Sequence, residues 1–335
     1  MSSRTSTETE GTAPAGGGPS RGGPGAAPPD SAATEPAPRK PALAGPPLQK
    51  PAPAEPALSE PQLSESEAAA FRGLVLSHYA ASGRSFPWRE TRDPWRILVS
   101  EIMLQQTQTD RVLPKYLAWF ERFPDAASVA ASPLADVLAL WSGLGYNRRA
   151  LALAASARVV AEEGFPRDEE SLLALPGVGP YTARAVLAFA FGVPTVFIET
   201  NIRSVFLEQF FPHEESVSDA RIAPLVAATL DRRDPRSWYY ALMDYGVAVK
   251  KAKGNPNRRS SHYARQSPFA DSKRRVRGAA LRELAALGGA AAREDLARRL
   301  PFSAERVAEA LAELGAEGFV SIDGQFVRVA ERAPG

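Results

Sequence analysis

The chain has 335 residues, a formal net charge of +2 and 44% hydrophobic residues, enough apolar material for a sizeable core in more than one domain. It contains no cysteine, which excludes disulfides, thiolate metal sites, iron–sulfur clusters and cysteine nucleophiles. The three histidines (His78, His213, His262) are too scattered for a metal site, and no apolar run reaches membrane-spanning length, so a soluble intracellular protein without membrane contact is expected.

Residues 1–62 are rich in Pro, Ala and Gly with no hydrophobic period, and read as a disordered tail that cannot bury enough apolar surface to offset its ordering entropy. From Leu63 the texture turns helical. Ser64-Glu-Ser-Glu67 has the spacing of a capped helix start leading into Phe71, Leu74 and Val75. Further helices are predicted over Trp95–Thr107, Val112–Phe123, Leu134–Trp141 and Arg149–Glu163, punctuated by Phe123-Pro124, Ser132-Pro133 and Phe165-Pro166. Others follow over Tyr181–Phe191, Asn201–Phe211, Ile222–Leu230 and Ser237–Val249, and no alternating strand pattern precedes residue 318. The body, residues 63–249, is predicted to be all-α.

Leu175-Pro-Gly-Val-Gly-Pro-Tyr-Thr182 reads as a tight hairpin between two helices, with Pro180 suited to the first position of the second. Amides of Gly177, Val178 and Gly179 at such a helix start can hold one phosphate, although the same pattern also ends helices in proteins that meet none. About twenty residues on, Glu199 and Asn201 place a carboxylate and an amide beside the hairpin. Glu101 sits among Val99, Ile102, Met103 and Leu104, and apolar company favours the protonated carboxyl that a general acid needs. The uncharged Gln105, Gln106, Thr107 and Gln108 follow it and are suited to base edges or to a gap in a base stack.

Residues 250–276 form a basic loop. Counted through Arg277, the stretch holds ten Lys or Arg and one acid, Asp271, which suits either a solvated loop or a sequence-independent phosphate contact. Residues 277–330 read as three helices and a hairpin around Asp323-Gly324, the order of a small winged helix whose third helix would span Ser303–Leu314. Glu305, Glu309, Glu313 and Glu317 recur every four residues there. A stripe of that kind repels phosphates, so a packing or protein-contact role is expected for this module ahead of DNA reading.

Phe86-Pro-Trp-Arg89, Ser100-Glu-Ile-Met-Leu-Gln-Gln-Thr-Gln108, Gly143-Leu-Gly-Tyr146 and the glycine hairpin, in this order, resemble the helix–hairpin–helix superfamily of DNA glycosylases, and among them the MutY-type adenine-specific branch. The similarity runs from about Phe86 to Gly246, nearly half the chain. It implies a two-lobed helical fold and a monofunctional glycosylase of base-excision repair, acting as a monomer on double-stranded DNA at adenine opposite guanine or oxidised guanine. The location implied is cytoplasmic, at the nucleoid if the source is bacterial. Carried over by position, Glu101 is the acid that protonates the base, Gln106 the wedge and Tyr146 the intercalating aromatic. Tyr181 stands where relatives with strand-cutting activity have a Schiff-base lysine, and Asn201 helps to organise the pocket. Arg258 and Arg259 belong to the loop expected to contact phosphate.

Three departures stand out. Glu199 occupies the position of the superfamily's aspartate, and its extra methylene displaces the carboxylate if the backbone stays put, a misplacement worth about a hundredfold in rate. The four cluster-binding cysteines are absent, so no cofactor is expected. The winged helix stands where a domain resembling a nucleotide hydrolase would read the oxidised guanine. The rival readings are a silent binder of mismatched or damaged DNA, a glycosylase for hypoxanthine, uracil or thymine mispairs, and a regulatory DNA-binding protein led by the winged helix.

Overall fold

The computed structural model describes residues 62–264 and 272–333; the expected tail, 1–62, falls almost wholly outside them. Among the described residues no helix is long and apolar enough to cross a membrane.

The body is all-helical. Helix α1 (Glu65–Ser82) starts at the expected capping box of Ser64 and Glu67. It is followed by α2 (Pro87–Glu90), α3 (Pro94–Leu104), α4 (Thr109–Arg122), α5 (Ala126–Ala130), α6 (Leu134–Trp141), α7 (Arg148–Glu163), α8 (Glu169–Ala174) and α9 (Pro180–Phe191). Next come α10 (Thr200–Phe210), α11 (Asp219–Thr229), α12 (Pro235–Lys253) and a 3-10 turn at Pro256–Arg259. Packing divides these helices into two lobes: α1 and α10–α12 pack on one another, α3–α9 form the second group, and α9 meets α12 between them.

The hub is α3. Asp93 caps it by accepting from the amides of Trp95 (2.9 Å) and Arg96 (3.2 Å), and Pro94 opens its first turn. Ile97, Leu98, Val99, Ile102 and Met103 are all buried, so α3 is enclosed on every side and Glu101 is carried into the interior. The helix ends at Leu104, not at Thr107 as its sequence suggests, because Gln106 turns into the left-handed region (φ 53°). At the hairpin Gly177 takes φ 77°, and a Cβ there would lie 2.6 Å from Ala152 Cβ, so glycine is required both by the turn and by the close approach to α7.

The C-terminal module is a winged helix built as α13 (Lys273–Ala286), β1 (Ala290–Ala292), α14 (Arg293–Arg299), α15 (Ala304–Ala316), β2 (Val320–Asp323) and β3 (Phe326–Val329). Its antiparallel sheet has the order β1-β3-β2, with Ala291 and Ile322 both opposite Val327. Two expectations are corrected here. The boundary at 276/277 cuts through α13, which begins at Lys273, just as α12 extends to Lys253 inside the expected loop. The acidic stripe is also largely neutralised: Glu305 and Glu309 are exposed, but three of its four glutamates stand in ion pairs. Glu309 and Glu313 bind Lys273, while Glu313 and Glu317 bind Arg277, and Glu317 also reaches Arg148 of the body at 2.8 Å. These pairs hold the Glu317 carboxyl down at about 2, Arg148 and Arg277 supplying the hydrogen bonds. The module is thus packed onto the body, with α13 against α6, Leu134 N–H on the Glu331 carbonyl and Arg158 on the Ala333 carbonyl.

Candidate active site

Glu101 lies where the two lobes meet. It is 6% exposed, and its carboxyl is raised to about 7, first by burial and then by the nearby charge of Glu199. The Tyr181 hydroxyl donates to Glu101 Oε2 at 2.8 Å and opposes that rise, as does the more distant Arg89. Tyr181 comes from the first turn of α9, directly after the hairpin, and rests edge-on against Phe197. Burial and the neighbouring carboxylates push its own phenol well above its ordinary value, so it stays a donor. The result is a carboxyl that is half protonated near neutrality, beside a hydroxyl that cannot ionise.

Glu199 caps α10. One oxygen accepts from the amides of Asn201 (2.7 Å) and Ile202 (2.9 Å), and the other from Asn201 Nδ2 (3.2 Å) and Thr200 Oγ1 (3.1 Å). The extra methylene is therefore taken up by curling the side chain back over its own helix, whose dipole favours the negative charge. Asn201 is held in turn by Lys250, whose ammonium donates to Asn201 Oδ1 at 2.9 Å. Burial lowers the Lys250 pKa while Glu199 works against it. Helices α10 and α12 touch closely here, since a Cβ on Gly246 would lie 2.4 Å from the Asn201 carbonyl oxygen. Lys250 was invisible as a site residue in the sequence, where it reads as one basic residue of a run. Behind the pocket, Asp244 accepts a bidentate pair from Arg89 (2.9 Å each) and further bonds from Arg84. Burial alone would raise the Asp244 carboxyl, but these arginines hold it below its ordinary range.

The two loops expected to enter a duplex lie side by side. Gln106 and Tyr146 both have left-handed backbones (φ 53° and 48°), a strain of about 1 kcal/mol or more each for residues with a Cβ. One guanidinium holds them. Arg149, at the start of α7, donates to the carbonyls of Ile102, Met103, Gln105, Leu144 and Gly145 and to Thr107 Oγ1, at 2.6–3.2 Å. It thereby satisfies the last carbonyls of the helix that carries Glu101. Gln106 and Tyr146 are exposed, the latter by 40%. Gln105 instead turns to Thr182 (3.2 Å), and Thr107 Oγ1 donates to the carbonyls of Gln105 and, across the two loops, Leu144, so those two residues shape the surface more than they project from it. Arg149 was missed as well, because four of its six partners, Ile102, Met103, Gln105 and Thr107, lie more than forty residues upstream.

At the hairpin Gly177 is exposed, and Gly179 opens α9 without a side-chain cap, which leaves first-turn amides for an outside acceptor. Val178 differs: its side chain is buried and its amide donates to the Leu175 carbonyl at 3.1 Å, so it anchors the turn. Arg258 is exposed on the 3-10 turn. Arg259 is drawn inward to Glu208 (3.0 Å) and the Phe211 carbonyl, a structural tie in place of the expected phosphate contact. Beside it Asn257 is buried and donates to the Thr200 carbonyl (2.9 Å) and Ser204 Oγ (2.7 Å). This stretch offers amides, hydroxyls and ammonium groups and no thiolate, so its donors do not fit an iron–sulfur cluster. Hydrogen bonds fix it to α10 instead.

Residues 99–252, which include Glu101, Arg149, Tyr181, Glu199, Asn201 and Lys250, match the family described as HhH-GPD superfamily base excision DNA repair protein. The match takes in nearly half of the chain. Among curated members, the adenine DNA glycosylase of Mycolicibacterium smegmatis is 42% identical over 185 residues, covering 53% of this chain and 63% of that protein. That of Homo sapiens is 36% identical over 200 residues, covering 55% of this chain and 36% of that protein. The chain therefore spans less than two thirds of the length of these HhH-GPD relatives. A solved thermostable thymine-DNA glycosylase is 27% identical, with a TM-score of 0.49, covering 58% of this chain and 96% of that one.

Proposed function

We propose that the protein is a monofunctional DNA glycosylase of base-excision repair that removes adenine opposite guanine or oxidised guanine. It acts as a monomer on duplex DNA and without an iron–sulfur cluster. The observation that carries this reading is the buried Glu101, titrating at about 7 and hydrogen-bonded by Tyr181 beside the Glu199 cap. A purine leaves readily only when protonated, and a carboxyl half protonated near neutrality can deliver that proton. As the glycosidic bond breaks, its electron pair goes to the protonated base and positive charge develops on the sugar. Glu199, fixed by four hydrogen bonds, stabilises that charge electrostatically, and water then adds to the anomeric carbon and releases its proton to solvent. Tyr181 offers no amine for a Schiff base, which supports hydrolysis without strand cleavage. The target nucleotide must leave the stack to reach Glu101, at a cost of a few kcal/mol, and the strained Gln106 and Tyr146 are placed to fill the gap.

Single-turnover excision on duplexes with adenine opposite guanine, oxidised guanine or cytosine, and with hypoxanthine, uracil or thymine mispairs, tests this reading, alkali revealing each abasic site. Fastest cleavage of adenine opposite guanine or its oxidised form, lost in Glu101→Gln, is the expected result. Binding without cleavage by the wild type would show a silent binder.

A further inference from the structure

Beside the Tyr146 loop lies a cleft of about 1030 Å³ whose lining does not include Glu101. One wall is formed by Gln105, Gln106 and the turn from Ser142 to Arg149, the other by helix α13 of the winged helix. Eight Lys or Arg side chains line it against two glutamates, Glu313 and Glu317. Both glutamates are bound by Arg277, with Lys273 and Arg148 completing the set, so the acid in the lining is already paired with bases. Arg274, Arg275 and Arg282 add positive charge to the same wall. Arg274 also reaches across the cleft, donating to the Tyr146 hydroxyl at 3.2 Å with its guanidinium 5.8 Å from the ring.

A winged helix commonly reads DNA with its third helix. Here that helix, α15, commits Glu309 and Glu313 to holding α13 in place. The positive face falls to α13, and it opens on the two residues best placed to penetrate a duplex. We infer that α13 is a second DNA-contact element, and that the phosphodiester backbone of the duplex beyond the wedge residues runs through this cleft. The inference rests on the DNA reading above and deepens it: the C-terminal module extends the footprint past the catalytic lobes by sequence-independent phosphate contacts. An acidic protein segment would meet the same charge, but the strained Gln106 and Tyr146 on the facing wall favour a duplex.

The test measures equilibrium affinity of the full chain for a duplex with an uncleavable abasic analogue, across a series of salt concentrations. The triple variant Arg274→Ala/Arg275→Ala/Arg282→Ala is expected to bind about tenfold or more weakly, with a salt slope shallower by about 1 for each arginine that meets a phosphate. Arg298→Ala/Arg299→Ala, on α14 outside the cleft, should match wild type. Unchanged affinity and slope in the triple variant would overturn the inference while leaving the glycosylase reading intact; a wild type that binds no duplex would sink both. Since the chain has no cysteine of its own, Arg282→Cys gives a second readout that needs only one exposed substitution. It should form a disulfide with thiol-tethered DNA, Arg298→Cys should not, and capture by both or neither counts against the cleft.

Discussion

Replacing Tyr181 by phenylalanine isolates the atom that opposes burial at the catalytic acid. The phenol donates to the ionised Glu101 at 2.8 Å and so favours the charged form. A hydrogen bond to a charged group is worth about 1.5–3 kcal/mol, or roughly 1–2 pKa units at 1.36 kcal/mol per unit. Losing it should lift Glu101 from about 7 to somewhere near 8 or 9. A reaction that needs protonated Glu101 slows tenfold per pH unit above that pKa, so the alkaline limb of the single-turnover rate should move to higher pH by the same interval. Glu199→Gln should move the limb the other way, because the charge of Glu199 is one of the influences raising Glu101. The position of the limb is the readout, and its height is not, since either change also alters the pocket. An alkaline limb that stays in place in Tyr181→Phe, or that survives in Glu101→Gln, would refute the assignment of Glu101 as the titrating acid.

Four further outcomes are expected. Glu101 has a folded pKa of about 7 against an ordinary 4.5, so its ionisation weakens the fold as pH rises between those values; Glu101→Gln should gain on the order of 3 kcal/mol over wild type above pH 7 and lose that gain below 4.5, measured by urea unfolding. Gly246→Ala forces α12 off the Asn201 backbone, and should cost about 1–3 kcal/mol by the same assay and slow excision as well. Arg149→Ala takes a donor from five carbonyls, of which Leu144 and Gly145 keep Thr107 Oγ1 and Trp141 Nε1, and frees both wedge loops, so a loss of at least about 3 kcal/mol should come with faster amide exchange at Gln105–Thr107 and Leu144–Tyr146. Asn257→Ala should cost about 1–3 kcal/mol and raise protease sensitivity after Gly254, because the buried Ser204 Oγ and the Thr200 carbonyl on α10 lose the donor that ties this stretch to them.

Much of the site was legible in the sequence because its determinants are local. Apolar neighbours of Glu101 within three residues announced a buried carboxyl, and Pro180 after Gly179 announced the start of α9. What could not be read depends on partners far along the chain. The break after Leu104 is set by Arg149, whose acceptors lie on two separate loops. The acidic stripe looked like a barrier to DNA because Lys273 and Arg277, its partners, sit 36 to 40 residues earlier on another helix. Ala290–Ala292 carries no strand signal at all, and becomes one only by pairing with Phe326–Val329. Arg259 and Arg258 are adjacent and chemically alike, yet Glu208 draws one inward and leaves the other in solvent.

The partners of Arg149 are all neutral, carbonyls and a hydroxyl, so its charge has no counterion among them. Desolvation lowers its pKa only to about 10, and it remains cationic at any physiological pH. A fixed charge seated in low-dielectric surroundings sends its field outward through the surface above it, here the loops of Gln106 and Tyr146. A polyanion would be drawn toward those loops before any atom touches, at a rate that falls as salt shortens the reach of the field. The side chain that gives the loops their shape thus also sets the direction of approach, so its influence should appear in association kinetics as well as in the bound state.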